Sequence, residues 1–220
     1  MRIGGEPGPQ HMTIYAQTSV STDGYMAGPE PSLDEPLGRG GMQLHEWAFR
    51  LRAWREHHGL DGGEEGPEAA WVDEIAERTG AYVMGRKMFS GGSGSWEDDP
   101  NANGWWGDEP PFGKPVFVVT HHEREPLVLG ATTFHFVTGG VEAALDLATA
   151  AAAGRDVQIA GGGEVIRQVL ELGRLDELQL HTAPVALHAG TPFPTVRHAE
   201  ELERIETPHA LHVRYRVTRR

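Results

Sequence analysis

The sequence predicts an α/β fold with a central, mostly parallel sheet, an antiparallel C-terminal edge and helices on both faces. Three stretches carry that expectation. Val157-Gln158-Ile159-Ala160 alternates as a strand, Gly161-Gly162-Gly163 turns the chain, and Val165, Ile166, Val169 and Leu170 then recur at helical spacing until Gly173. Pro115-Val116-Phe117-Val118-Val119-Thr120 is a continuous apolar run, as expected of a strand buried on both faces of a parallel sheet. Near the C-terminus, Leu211, Val213, Tyr215 and Val217 alternate with His212, Arg214, Arg216 and Thr218, the pattern of an antiparallel strand with one wet face.

A chain of 220 residues is long enough for one well-buried core, so a single domain over residues 12–220 is expected. The absence of cysteine excludes a disulfide scaffold, thiolate zinc sites and thiol catalysis. No apolar run approaches about 18 residues and no charged-then-apolar leader is present, which points to a soluble, cytoplasmic protein. A formal charge of −13 argues against nucleic-acid and anionic-membrane partners. Any anionic ligand must therefore be held by a local cluster of donors and cations.

Taken in order, Met1 to His11 is Gly/Pro-rich without periodicity and is expected to be a disordered leader or tag remnant ahead of a start at Met12. Thr13 to Val20 is β-prone, and Ser21-Thr22-Asp23-Gly24 has the chemistry of a turn. Tyr25-Met26-Ala27-Gly28-Pro29 leads into a Pro-rich loop placed to lie beside a ligand. Leu44, Trp47, Ala48, Leu51 and Trp54 predict an amphipathic helix ended by the acidic, Gly-rich run Asp61 to Gly66. Pro67 then opens a second helix carrying Trp71, Val72, Ile75 and Ala76 and stopped at Gly80. Trp47, Trp54 and Trp71 read as core packing.

Ala81-Tyr82-Val83-Met84 is a short strand running into Gly85-Arg86-Lys87-Met88-Phe89, where two adjacent cations at a strand-to-helix junction make a candidate anion site. Ser90 to Lys114, rich in Gly, Pro and Asp, predicts a long ordered loop or lid bearing Trp96, Trp105 and Trp106. Thr133 to Thr138 gives another strand, and Val141, Ala144, Leu145 and Ala148 carry a helix from Gly139-Gly140 to Gly154. Glu177 to Val185 joins the terminal alternating run in the antiparallel edge. The strand-and-helix rhythm before it is that of βαβ units.

Three glycines in the turn remove every Cβ, so amides at the start of the following helix can approach an anion closely, with the helix dipole adding attraction. Gly161 and Gly163 fit the first part of the dinucleotide fingerprint, but Ile166 stands where its third glycine belongs. In open parallel sheets ligands bind outside the carboxyl ends of the strands. Gly85-Arg86-Lys87, Thr120-His121, Thr138-Gly139 and Gly161-Gly162-Gly163 all fall at such ends. A pyrophosphate on the glycines and a further phosphate on Arg86 and Lys87 describe NADPH better than NADH.

Val83-Met84-Gly85-Arg86-Lys87-Met88-Phe89, Ile159-Ala160-Gly161-Gly162-Gly163-Glu164-Val165-Ile166 and Gly190-Thr191-Pro192-Phe193-Pro194 follow a first strand ending in Ser21-Thr22-Asp23-Gly24. In that order they resemble dihydrofolate reductase. Thr22 to Gly28 and Arg174-Leu175-Asp176-Glu177-Leu178 are closer to the reductase domain of the riboflavin-biosynthesis deaminase-reductase, RibD, and its stand-alone bacterial relatives. The resemblance covers the chain from Met12 to the C-terminus.

It implies a dihydrofolate reductase-like fold that transfers hydride from NADPH. Gly85, Arg86 and Lys87 would hold the 2′-phosphate side, Thr120 and His121 would lie beside the adenine ribose, and Thr138 near the adenine. Gly161, Gly162, Gly163, Glu164, Val165 and Ile166 would lie along the pyrophosphate. Thr18, Ser19, Met26 and Ala27 would approach the nicotinamide, with Thr22 to Gly28 as a gate. Tyr25, Glu46 and Trp47 would stand on the substrate side. Dihydrofolate reductases carry one acid before the Met-Gly-Arg strand; here Glu46, Asp73 and Glu74 compete for that place in a region expanded by Gly38 to Gly66. Asp23 is either a catalytic substrate contact or a turn-former.

The expected function is NADPH-dependent reduction of a small, heterocyclic or conjugated C=N or C=O substrate. A nucleotide- or ligand-binding protein without turnover is the alternative. The 12 histidines offer adjacent pairs at His57-His58 and His121-His122 but no i, i+4 ligand spacing, so no metal is expected. Edge-like C-terminal strands and the resemblance together imply a homodimer.

Overall fold

The computed structural model describes residues 12–32 and 34–218; the expectation for Met1 to His11 lies outside them. The chain enters as β1 (Ile14–Val20), turns at Ser21 to Gly24 and forms the short β2 (Tyr25–Ala27). Instead of one helix over residues 44–55, there is a 3-10 turn at Gly41–His45, then α1 (Glu46–Phe49) and α2 (Arg52–His57). The break falls at Leu51, whose φ of −72° and ψ of 135° are extended. The acidic run folds back to cause it: the Glu64 amide donates to the Arg50 carbonyl at 2.7 Å, and the Arg52 amide to the Glu64 carbonyl at 3.0 Å. Trp47, Ala48 and Leu51 still bury together, so the apolar spacing is real although the helix is not continuous.

Pro67 opens α3 (Pro67–Arg78) as expected, since its missing N–H would have no partner there. Next come β3 (Thr79–Gly85), α4 (Arg86–Ser90) and, after a long segment of turns, β4 (Pro115–Val119). A hairpin of β5 (Leu127–Leu129) and β6 (Thr132–Val137) leads to α5 (Gly140–Ala151). The chain then forms β7 (Asp156–Gly161), α6 (Gly163–Glu171), β8 (Glu177–Thr182), β9 (Thr191–Pro192), β10 (Ala199–Glu206) and β11 (Leu211–Val217).

The main sheet runs in the order β10-β11-β8-β1-β7-β3-β4-β6-β5. From β8 to β6 every neighbouring pair is parallel, while β11, β10 and β5 are antiparallel to their neighbours. Two sequence expectations change here. The Glu177 to Val185 stretch joins the antiparallel C-terminal strands on one side only, because β8 pairs antiparallel with β11 but in parallel with β1 and so lies inside the sheet. The outer edge is β10, a Glu-rich strand exposed along nearly all its length and hence without an apolar signature.

One face of the sheet, with Ile14, Ala16, Ala81, Val83, Val157 and Ile159, packs against α5 and α6. Val165, Ile166 and Val169 turn inward from α6, and each fully buried aliphatic side chain contributes about 1.5–3 kcal/mol. On the other face Tyr82, Met84, Val116, Val118 and Phe134 meet Phe89 of α4 and Trp96, Trp106 and Phe112 of the long segment. Farther along it, Trp47 of α1 and Trp71 of α3 lie over His181 of β8 and His212 of β11. Helices therefore cover both faces, and the carboxyl ends of the parallel strands form a common rim. Among the described residues no helix is long and apolar enough to cross a membrane.

Candidate functional site

Sheet register places the candidate residues on that rim. Gly85 pairs with Val119 and Val119 with Val137, so Gly85-Arg86, Thr120 and Thr138 stand abreast at the ends of β3, β4 and β6. Met84 pairs with Gly161, which brings the triple-glycine turn to the same level. Thr120 is buried, receives the His122 amide on its hydroxyl at 3.1 Å and donates its own amide to the Val137 carbonyl at 3.0 Å. His121 and Thr138 are exposed.

Each glycine of the turn has its own reason. Gly161 has a φ of 136°, which side chains rarely adopt, and its peptide bond to Gly162 is cis. A Cβ on Gly163 would lie 2.8 Å from Met26 Sδ, so the glycine allows β2 to close against the turn. A Cβ on Gly162 would meet nothing within 4 Å, leaving open space in front of the turn. Gly162 is the N-cap of α6 and has no side-chain cap. The amides of Val165 and Ile166 both reach the Gly162 carbonyl, at 3.0 and 3.2 Å, and their side chains belong to the core. The outward part of the turn is thus Gly162, Gly163 and Glu164, where first-turn amides lack intrahelical acceptors. The Glu164 carboxylate is held down to about 2 by the Arg167 guanidinium and the Gln168 amide.

The segment beside the turn is tied down at Asp23. Its carboxylate accepts from the Ser21 hydroxyl at 2.5 Å and from the amides of Leu187 and His188 at 3.1 and 2.7 Å. The Ser21 hydroxyl and these amides hold it down to about 2, so it carries no proton at neutral pH. Farther along, the Phe193 amide donates to the Gly24 carbonyl at 2.9 Å, and β2 pairs with β9. The Ser21 to Ala27 segment is therefore fastened to residues 185–193.

The two adjacent cations are placed very differently. Lys87 is exposed, whereas the Arg86 side chain is only 7% exposed and its Nη2 donates to Asp99 Oδ2. Its guanidinium lies under Trp96, 3.3 Å from the ring centroid. Arg86 Nε and Nη1 are buried without acceptors. A buried donor left unmade costs about 1–3 kcal/mol, so the arginine is only partly satisfied. Nothing in the residues around position 99 marks it in the sequence as the partner of Arg86.

On the substrate side, Tyr25 is half-buried on β2 and Glu46 is exposed on α1. Trp47 is core, with its indole N–H on Ser19 Oγ at 3.0 Å and its ring 4.4 Å from that of His181. Thr18, half-buried, lies on the opposite face of β1 from Ser19. Beneath Trp47 runs a buried polar chain that the sequence did not reveal. Gln158 Nε2 donates to Gln17 Oε1 at 3.0 Å, Gln17 Nε2 lies 3.0 Å from His181 Nε2, and His181 Nδ1 lies 2.8 Å from His212 Nδ1. With the amides assigned this way, His181 carries its proton on Nδ1, and His212 carries its own on the unpartnered Nε2.

This strand order, with a glycine turn feeding α6 at the rim, defines a dihydrofolate reductase-like α/β protein. Residues 12–207 match the family described as the RibD C-terminal domain, and the chain belongs to that family, which makes it a reductase-type protein. No curated protein matches it significantly. Among solved structures it is similar to a candidate riboflavin biosynthesis protein from Shewanella sp. PV-4, with a TM-score of 0.58 and 19% identity over 94% of this chain and 100% of the other. It is also similar to the diaminohydroxyphosphoribosylaminopyrimidine deaminase/5-amino-6-(5-phosphoribosylamino)uracil reductase of Thermotoga maritima, with a TM-score of 0.56 and 11% identity over 95% of this chain, which spans 57% of that protein. A pyrimidine reductase-like protein from Corynebacterium diphtheriae gives a TM-score of 0.51 and 15% identity over 95% of this chain and 93% of the other.

Proposed function

We propose that this protein is an NADPH-dependent reductase acting on a small heterocyclic or conjugated substrate with a C=N or C=O bond. The observation that carries the reading is the uncapped N-terminus of α6 behind Gly162, where open space faces free first-turn amides. That cradle fits a pyrophosphate, and the neighbouring rim fits the rest of a dinucleotide. Thr120 and His121 stand at the ribose, Thr138 at the adenine, and Gly85 and Lys87 at the 2′-phosphate end. Thr18, Ser19, Met26 and Ala27 lie on the nicotinamide side.

When bound, the nucleotide supplies the hydride. The protein's part is to hold it at the rim beneath the Thr22 to Gly28 gate. Trp47 fixes the Ser19 hydroxyl through the indole N–H, while Tyr25 and Glu46 are the polar groups free to meet substrate. Asp23, ionised and saturated with donors, acts by fastening the gate and not as a proton donor. A heterocyclic substrate is supported by the family and by the pyrimidine and uracil chemistry in the names of the structural neighbours. We extend the proposal to a homodimer acting in the cytoplasm.

Titration with NADPH, followed by tryptophan fluorescence and thermal melting, tests the reading. Saturable quenching and a raised melting temperature at micromolar nucleotide are expected. No response to NADPH defeats the proposal. Binding without NADPH oxidation across carbonyl, imine and pyrimidine substrates favours a binding protein on the same fold.

A further inference from the structure

Asp99 is fixed from several directions. Its carboxylate accepts from the Ser90 hydroxyl at 2.7 Å, the Asn101 amide at 2.9 Å and the Arg86 guanidinium, and its side chain is 2% exposed. Gly92 leaves room for it, since a Cβ there would fall on the carboxylate. Trp96 roofs the arginine and is itself tethered, its indole N–H donating to the His122 carbonyl at 3.0 Å. Arg124, 5.0 Å from the same ring, is also spent on the segment, donating to the Ala102 carbonyl and to Asn103 Oδ1. A phosphate arriving at the rim meets the Arg86 guanidinium buried and the half-exposed Arg124 guanidinium already engaged by the segment. Lys87, next in sequence to Arg86, is exposed.

Resting on the NADPH reading above, we propose that Asp99 is a specificity-determining residue for the nucleotide. It retains Arg86 beneath residues 91–114 and leaves Lys87 as the cation of the pair that meets the 2′-phosphate. Arg86 is then a positioning residue that anchors the segment. Its unpartnered Nε and Nη1 show that the anchor leaves hydrogen-bonding capacity unused, which a phosphate can take up once Asp99 lets go.

The test compares dissociation constants for NADPH and NADH in the wild type, Lys87→Gln, Arg86→Gln and Asp99→Asn, with a melting curve on each. Lys87→Gln is expected to weaken NADPH about tenfold and NADH less than about twofold, the loss of one charge-assisted contact. Arg86→Gln is expected to lower the melting temperature and to change both affinities by the same factor. Asp99→Asn, by releasing Arg86, is expected to raise the preference for NADPH over NADH about fivefold. Because Lys87 is exposed, Lys87→Gln decides alone if the other variants do not fold: an unchanged NADPH-to-NADH ratio overturns the proposal. If NADPH binds the wild type but Arg86→Gln removes the preference, only this proposal falls. If neither nucleotide binds the wild type, the reductase reading falls with it.

Discussion

Burial keeps His181 neutral, because desolvation and the adjacent His212 ring both push its pKa well below 6.5. Burial lowers His212 as well, although Glu68 opposes the shift. In the unfolded chain both imidazoles regain ordinary pKa values near 6.5. The unfolded state then takes up more protons below that pH. Stability from these groups is therefore complete above about pH 6.5 and declines as the pH falls, by about 1.4 kcal/mol per unit for each imidazole kept neutral. Melting temperatures measured from about pH 7.5 down to about pH 5 should fall, and His181→Gln should flatten the curve. A wild-type curve with no slope there would contradict the neutral assignment. The strict alternation from Leu211 to Thr218 placed His212 and Arg214 on a wet face, yet Trp47 and Trp71 cover that face. A strand's period says which residues share a side; what lies on that side comes from elsewhere in the chain.

The segment from Ser90 to Lys114 was legible as an ordered, Trp-bearing stretch, because Gly, Pro and Asp end regular structure while indoles seek cover. Its latch was not legible, since Arg86 and Asp99 meet only once the chain has turned through Gly91 and Gly92. Gly92→Ala would drive a methyl into the Asp99 carboxylate and is expected to cost about 1–3 kcal/mol. Hydrogen exchange should then quicken across residues 91–114 and not in α5. Equal protection in both proteins would show that the carboxylate moves aside freely. The helices α5 and α6 were readable from spacing because each packs one apolar stripe on the sheet. The break at Leu51 was not, because Glu64 imposes it through main-chain bonds that leave side-chain spacing intact. Short β5 and solvated β10 bury too little to leave a pattern.

For the molecule as a whole, parallel strands with helices on both faces followed from the apolar run at Val116 to Val119 and the glycine turn. The place of β8 did not, since parallel and antiparallel neighbours demand the same alternation. The rim positions could be placed because every parallel strand ends there, whereas no motif in the sequence distinguishes Glu46 from Asp73 or Glu74 as the substrate-side acid. Sedimentation at micromolar concentration is expected to give twice the chain mass. A monomer under those conditions would remove the dimer from the proposal. Glu200, Glu201, Glu203 and Glu206 line the outer strand, so two copies joined edge to edge there would oppose like charges. The position of β1 has a separate consequence for biogenesis. It precedes the other strands of the sheet in sequence, yet both its neighbours, β7 and β8, lie more than 140 residues further on, with Ile14 paired to Val157 and Ala16 to Leu178. A nascent polypeptide therefore holds β1 without its sheet partners until residues 156–182 have been made, and pairing at that separation in sequence is expected to slow folding.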